Sequence, residues 1–298
     1  MNDIKNIAVY LGSSGRCRPI FKQTAAKLGQ LIAERNKTLV YGGMDAGPMG
    51  IVANNALEGG TEVIGVIPVD LKDSQRAHQN LSQKKLVPSL WERKLEMFHQ
   101  MDAAITLAGG YGTADEMLEV LHWAHLGLHT KPMVLVNTEG YYNDLIAFMH
   151  TLPDLPRKQL IIVKSIEDAF ARLEKWNTPK TTDTYGHFPH FEDQILQETA
   201  KPYIIENSSV KEAYILTTAL GLKQLQKHER SLGILNTDGQ YNLFLEWVKR
   251  AQEENFITKH CTQLYSVGAT KEELEEKLKH QPKIQIDLEN DKWGKSEN

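Results

Sequence analysis

Residues 105–116 read ITLAGGYGTADE. Ile105–Leu107 reads as the end of a buried strand, Gly109, Gly110 and Gly112 as a tight turn, and Thr113–Glu116 as the first turn of a helix. A strand, a glycine turn and a helix in that order make the βα junction of a parallel sheet.

The same grammar recurs outward from this stretch. Ile7–Leu11, Thr38–Tyr41, Glu62–Ile67, Ala103–Leu107 and Met133–Asn137 are short apolar runs of strand type. Helical spacing separates them, for example at Phe21, Ala25, Leu28, Leu31 and Ile32 within Phe21–Asn36. Near-continuous apolar strands alternating with helices predict an α/β fold. It is a Rossmann-like, doubly wound parallel sheet with helices on both faces.

Three of the strands run into glycine-rich turns: Gly12–Gly15 (GSSG), Gly42–Gly50 (GGMDAGPMG) and Ala108–Thr113 (AGGYGT). In a parallel sheet all three lie at the carboxyl edge, where such folds bind ligands. Glycine lets a backbone approach a ligand closely, and the helix N-termini that follow direct free N–H groups at an anion. A single such turn often does no more than connect a strand to a helix. Three that converge favour a ligand.

Composition bounds the rest. The chain is 41% hydrophobic and 24% charged, with net charge −4. It shows no basic stripe of the kind that binds nucleic acid. Two distant cysteines, Cys17 and Cys261, make no disulfide framework. No apolar run approaches the ~20 residues of a membrane span, and MNDIKNIAVYLG lacks a leader pattern. A cytoplasmic protein is expected.

Chemistry-bearing motifs are mostly excluded. Gly42–Met49 lacks a P-loop lysine, and Gly110–Asp115 lacks the third glycine of a dinucleotide fingerprint. His122 and His125, or the HFPH at 187–190, are too sparse for a metal site, and no nucleophile elbow occurs. What remains is charge. Glu116 and Glu119 share a helix face, although an acid near a helix N-terminus can simply favour the dipole. In WERKLEMF (91–98), Arg93 either reaches an anion or faces solvent.

Arg93-Lys94-x-x-Met97, followed by Gly109-Gly110-Tyr111-Gly112-Thr113-x-x-Glu116, resembles the LOG family, the cytokinin riboside 5′-monophosphate phosphoribohydrolases. The turn Tyr41–Gly50, the GSSG turn and the VIGVIP strand (Val63–Pro68) are similar to that family in the same order. The resemblance covers roughly residues 5–176. Three positions depart from its pattern: Ala108 replaces a proline, Met44 a glycine and Pro48 a leucine. Ala108 alters only the loop entry; Met44 and Pro48 bear on the pocket wall and the nucleobase. The family's older label is lysine decarboxylase, but no pyridoxal-phosphate lysine context is recognisable.

The resemblance implies hydrolysis of the N-glycosidic bond of a nucleoside 5′-monophosphate, AMP or N6-modified AMP, to free base and ribose 5-phosphate. Arg93 and Glu116 would be catalytic. Gly12, Ser13, Gly42, Gly43, Lys94, Met97, Gly109, Gly110, Gly112, Thr113 and Glu119 would bind substrate. No cofactor and no metal are called for, and neither nucleic acid nor membrane is a partner. A homodimer or higher homo-oligomer is implied, with the LEVLHWAHLGL helix (118–128) apolar enough for core and interface alike. The alternative is a non-catalytic nucleotide sensor or carrier of the same fold.

Beyond residue 176 the texture changes. VNTEGYYNDLIAF (136–148) returns as LNTDGQYNLFLEW (235–247), 99 positions later. At that offset Gly109 and Gly110 become Ser208 and Ser209, and Glu116 becomes Ile215. The expected organisation is a catalytic domain (1–180), a linker (181–200), a degenerate half-domain repeat (201–280) and a tail (281–298). One active site per chain follows.

Overall fold

The computed structural model describes residues 4–69, 76–177, 188–197, 201–288 and 290. The first part of the chain alternates strands and helices. Its elements are β1 (Asn6–Tyr10), α1 (Pro19–Glu34), β2 (Thr38–Tyr41), α2 (Gly47–Glu58), β3 (Val63–Pro68), β4 (Gln83–Val87) and α3 (Leu90–Gln100). There follow β5 (Ala103–Thr106), α4 (Tyr111–His125), β6 (Met133–Val136), α5 (Asn143–Thr151), β7 (Leu160–Val163) and α6 (Ile166–Glu174). The remainder is α7 (Glu192–Gln197), β8 (Tyr203–Ile205), α8 (Val210–Gln224), β9 (Leu232–Leu235), α9 (Asn242–Glu253), β10 (Ser266–Gly268) and α10 (Lys271–Lys279).

Seven strands form one parallel sheet in the order β4-β3-β2-β1-β5-β6-β7. Alternate residues of β1 serve two cores. Ile7 and Val9 join one with α1, α2 and α6, while Ala8 and Tyr10 join the other with α3, α4 and α5. That period of two, apolar on both faces, is why Ile7–Tyr10 are all buried. The fold is the expected doubly wound α/β sheet. β4 was not among the strand candidates: QKKLV is mostly exposed, and its lysines suit an edge strand. β7 was also not among them.

The strand order reverses between β1 and β5, so the crevice of this sheet opens at their carboxyl ends. The turns after β1 and β5 meet there, with Gly12 N donating to Ala108 O at 3.0 Å.

β8, β9 and β10 form a separate three-stranded parallel sheet. α8 packs on α4, and α9 on α5. α4 therefore has no solvent face: from Thr113 to Ala124 every residue is buried, between its own sheet and α8. Part of the stretch expected as a linker is packed as well. Phe188 sits against Phe98 and Trp123, and Trp123 Nε1 donates to Pro189 O at 3.0 Å. Residues 181–187 and 198–200 lie outside the described residues. Of the expected tail, Ile286 is buried and its carbonyl accepts from Gln226; residues 289 and 291–298 lie outside the described residues.

Candidate active site

Gly110 precedes α4 and gives it no side-chain cap. Its first N–H groups are thus left for something else, and an anion is the natural occupant. A Cβ built on Gly109 would stand 2.1 Å from Thr113 Oγ1 and 2.8 Å from Gly12 N, so no other residue fits this crossing. Gly112 has open space where its side chain would be. The turn after β2 closes in from the other side of β1. Gly47, at φ 49°, would bring a Cβ within 2.7 Å of Ser13 O and Ser14 O. Gly43 also holds a positive φ, of 74°. The three glycine turns, and with them Gly12, Ser13, Gly42, Gly43, Gly109, Gly110, Gly112 and Thr113, are gathered at one edge of the sheet.

α3 begins with Ser89, whose hydroxyl accepts from Glu92 N at 3.2 Å. It presents Arg93 to α4, and Arg93 Nη2 donates to Glu116 Oε1 at 3.0 Å. Gly42 makes room for that guanidinium; a Cβ there would fall 1.9 Å from Nη2. The Arg93 and Glu116 side chains keep 17% and 10% exposure, close to the 12% of Asp115. Burial pushes the Glu116 carboxyl up to about 7, against the opposing pull of Arg93. Arg93 Nε is buried with no hydrogen-bond partner, which leaves donor capacity beside Glu116.

Lys94 and Glu119 are less accessible, at 6% and 1% side-chain exposure. Lys94 Nζ lies 2.9 Å from Asp115, 3.3 Å from Glu119 and 3.4 Å from Glu192. Burial disfavours the ammonium, but the surrounding acids outweigh it and hold Lys94 well above the usual lysine range. Burial likewise raises Glu119 to about 8, and raises Glu192. Tyr214 donates to Glu119, and Thr218 donates to Asp115. Met97 is fully buried in the core under the sheet.

Asp115, Glu192, Tyr214 and Thr218 were not among the expected site residues. Asp115 adjoins Glu116 in TADE, and that adjacency was its only signal. Tyr214 and Thr218 fall opposite Asp115 and Glu119 at the 99-residue offset. Glu192 falls in the expected linker and carried no signal. Nor was it foreseen that Phe256 and Ile257, after α9, pack on Gly12 and Gly110. Among the described residues no group of His, Cys, Asp and Glu is arranged to hold a metal ion. No helix among them is long and apolar enough to cross a membrane.

A protein family described as possible lysine decarboxylase matches residues 49–175. The cytokinin riboside 5′-monophosphate phosphoribohydrolase LOG7 of Arabidopsis thaliana is 38% identical over 178 residues, covering 58% of this chain and 82% of that protein. The enzyme LOG1 of the same plant is 39% identical over 191 residues, covering 59% and 89%. In structure, the molybdenum cofactor binding protein of Rippkaea orientalis aligns with TM-score 0.47 and 22% identity, covering 58% of this chain and 98% of that one. The likeness to LOG7 and LOG1 spans most of each of those proteins at well over a third identity. The chain belongs to the LOG family, the cytokinin riboside 5′-monophosphate phosphoribohydrolases.

Proposed function

We propose that this chain hydrolyses the N-glycosidic bond of a nucleoside 5′-monophosphate, AMP or an N6-modified AMP, releasing free base and ribose 5-phosphate in the cytoplasm. The observation that carries the reading is the Arg93–Glu116 pair, 3.0 Å apart, one turn into a helix whose N-terminus has no side-chain cap. The activity by which LOG7 and LOG1 are named supports the same substrate class.

The 5′-phosphate is held by N–H groups at Gly110–Thr113 and by the Thr113 hydroxyl. That places the ribose over Glu116. Cleavage builds positive charge on the sugar, as in glycoside hydrolysis. The Glu116 carboxylate stabilises that charge and takes a proton from the attacking water; a group titrating near 7 suits the task. Arg93 contacts the substrate and assists departure of the base. Lys94 and Glu119 act from the buried layer, where they fix the charge around Glu116. The test is incubation with a panel of nucleoside monophosphates, followed by detection of free base. Release from AMP points to general salvage, and preference for a prenylated AMP to cytokinin activation. Tight nucleotide binding with no base released would overturn the reading in favour of a carrier.

A further inference from the structure

α8, β9 and α9 begin 99 positions after α4, β6 and α5. The correspondence reaches single hydrogen bonds. Asn137 Oδ1 accepts from Tyr142 N at 2.8 Å, and Asn236 Oδ1 from Tyr241 N at 2.7 Å. His129 Nε2 donates to Val120 O at 2.8 Å, and His228 Nε2 to Ala219 O at 2.9 Å. Equivalent helices then pack on each other, α4 on α8 and α5 on α9.

The contacts between them are reciprocal. Glu119 accepts from Tyr214, which stands at the position of Asp115 in the second unit; Asp115 accepts from Thr218, at the position of Glu119. Tyr142 stacks on Trp247 with centroids 6.4 Å apart, and Trp247 stands at the position of Phe148. Phe148 meets Tyr241 at 5.4 Å, and Tyr241 stands at the position of Tyr142. Residue i on j and j on i is the signature of a two-fold interface between copies. Here both units lie in one chain.

We infer that residues 203–279 are a built-in partner: they cover the α4–α5 face that a second copy of the catalytic unit would cover, and Tyr214 and Thr218 are positioning residues for the acids of α4. Two true copies would bring Asp115 and Glu119 of one against Glu119 and Asp115 of the other. Four carboxylates would then be buried together, which low dielectric penalises. The second unit answers the same acids with two hydroxyl donors. It has also given up its own anion site. Ser209 caps α8 by accepting from Glu212 N at 3.0 Å, and Val210 N donates to Asp154 at 2.9 Å. Ile215 stands where Glu116 would be. Any assembly of several chains then uses a surface other than α4 and α5.

The charged and titratable groups at this layer are Tyr10 from β1, Arg93 and Lys94 from α3, and Asp115, Glu116 and Glu119 from α4. Glu192 comes from α7 and Tyr214 from α8, and His122 of α4, which burial holds down at about 4, has its ring 6.0 Å from that of Tyr214. Tyr214→Phe and Thr218→Val keep shape and remove the donors. Because the Tyr214 donor favours the ionised Glu119, the melting temperature lost by Tyr214→Phe relative to the unmodified chain grows from about pH 6 to about pH 9; Thr218→Val lowers it as well. The double change Tyr214→Asp with Thr218→Glu writes α4's own acids into α8; it deepens that loss, and acidification reverses it. Diluting both chains about a thousandfold leaves the deficit of Tyr214→Phe relative to the unmodified chain unchanged, since the α4–α8 pairing is unimolecular. A Tyr214→Phe deficit that changes on dilution, or that does not vary with pH, would overturn the proposal. The activity arm rests on the hydrolase reading: kcat for AMP falls severalfold in Thr218→Val, KM is unchanged, and Thr218→Ser restores kcat. An unmodified chain that releases no base refutes that reading alone, because the stability and dilution arms stand without it.

Discussion

At the scale of the residue, three acids within one helical turn have different roles. Glu116 faces Arg93, while Asp115 and Glu119 face Lys94 and the hydroxyls of α8. Replacing Glu116 with Gln, or Arg93 with Ala, is expected to lower base release by on the order of 10²–10³ while the fold persists, as judged by circular dichroism. The pH dependence has a definite sign. On the proposed hydrolysis, base release is expected to rise as pH passes about 7, where Glu116 ionises. Stability runs the other way. Glu116 and Glu119 titrate higher in the folded chain than in the unfolded one, so their contribution is full below their ordinary range and is lost as pH rises through about 7 and about 8. Melting curves taken between about pH 5 and about pH 9 should slope downward, at roughly 1.4 kcal/mol per unit of pKa difference at most. Glu116→Gln should flatten the lower part of that slope. An unchanged slope in this variant would rule out a buried, ionisable Glu116.

At the scale of the element, the site depends on turns that leave room for a neighbour. Gly42→Ala puts a methyl against the Arg93 guanidinium, the mobile end of a long side chain, rather than against backbone. The expected outcome is a folded protein whose Arg93 has left Glu116, with base release reduced nearly as far as in Arg93→Ala. Full activity in Gly42→Ala would show that the contact is dispensable. Gly47→Ala differs, because its Cβ meets the carbonyls of Ser13 and Ser14 at a positive φ. About 1–3 kcal/mol of stability should be lost in denaturant titration. Most elements were legible, since periods of two and 3.6 are local properties. β4 was not, because an exposed edge strand of QKKLV has no apolar alternation. α1 begins at Pro19, two residues before the expected Phe21, since proline fits the first helical turn.

At the scale of the whole molecule, a buried charge layer and an aromatic seam join the two sheets. Lys94→Met would leave Asp115, Glu119 and Glu192 facing one another and cost about 3–5 kcal/mol at neutral pH, with partial recovery in acid. Trp247→Ala would empty the seam between α5 and α9 at a similar cost of about 3–5 kcal/mol. Calorimetry should show one transition that moves as a whole in each variant. Two separated transitions would mean that the seam does not couple the sheets.

Resemblance to the LOG family singled out Arg93 and Glu116, while the patterning of the sequence by itself determined the parallel sheet and the three glycine turns at its carboxyl edge. These follow from short-range periodicity and from glycine's missing side chain, which a linear reading can see. Only the tertiary structure decided which acid pairs with Arg93, and that donors from α8 hold the other two. Tyr214 and Thr218 lie 95 and 103 residues from their acids, and Lys94 lies 21 residues from Asp115. At such separations the partner of a buried charge is set by how helices pack, which spacing along the chain does not encode.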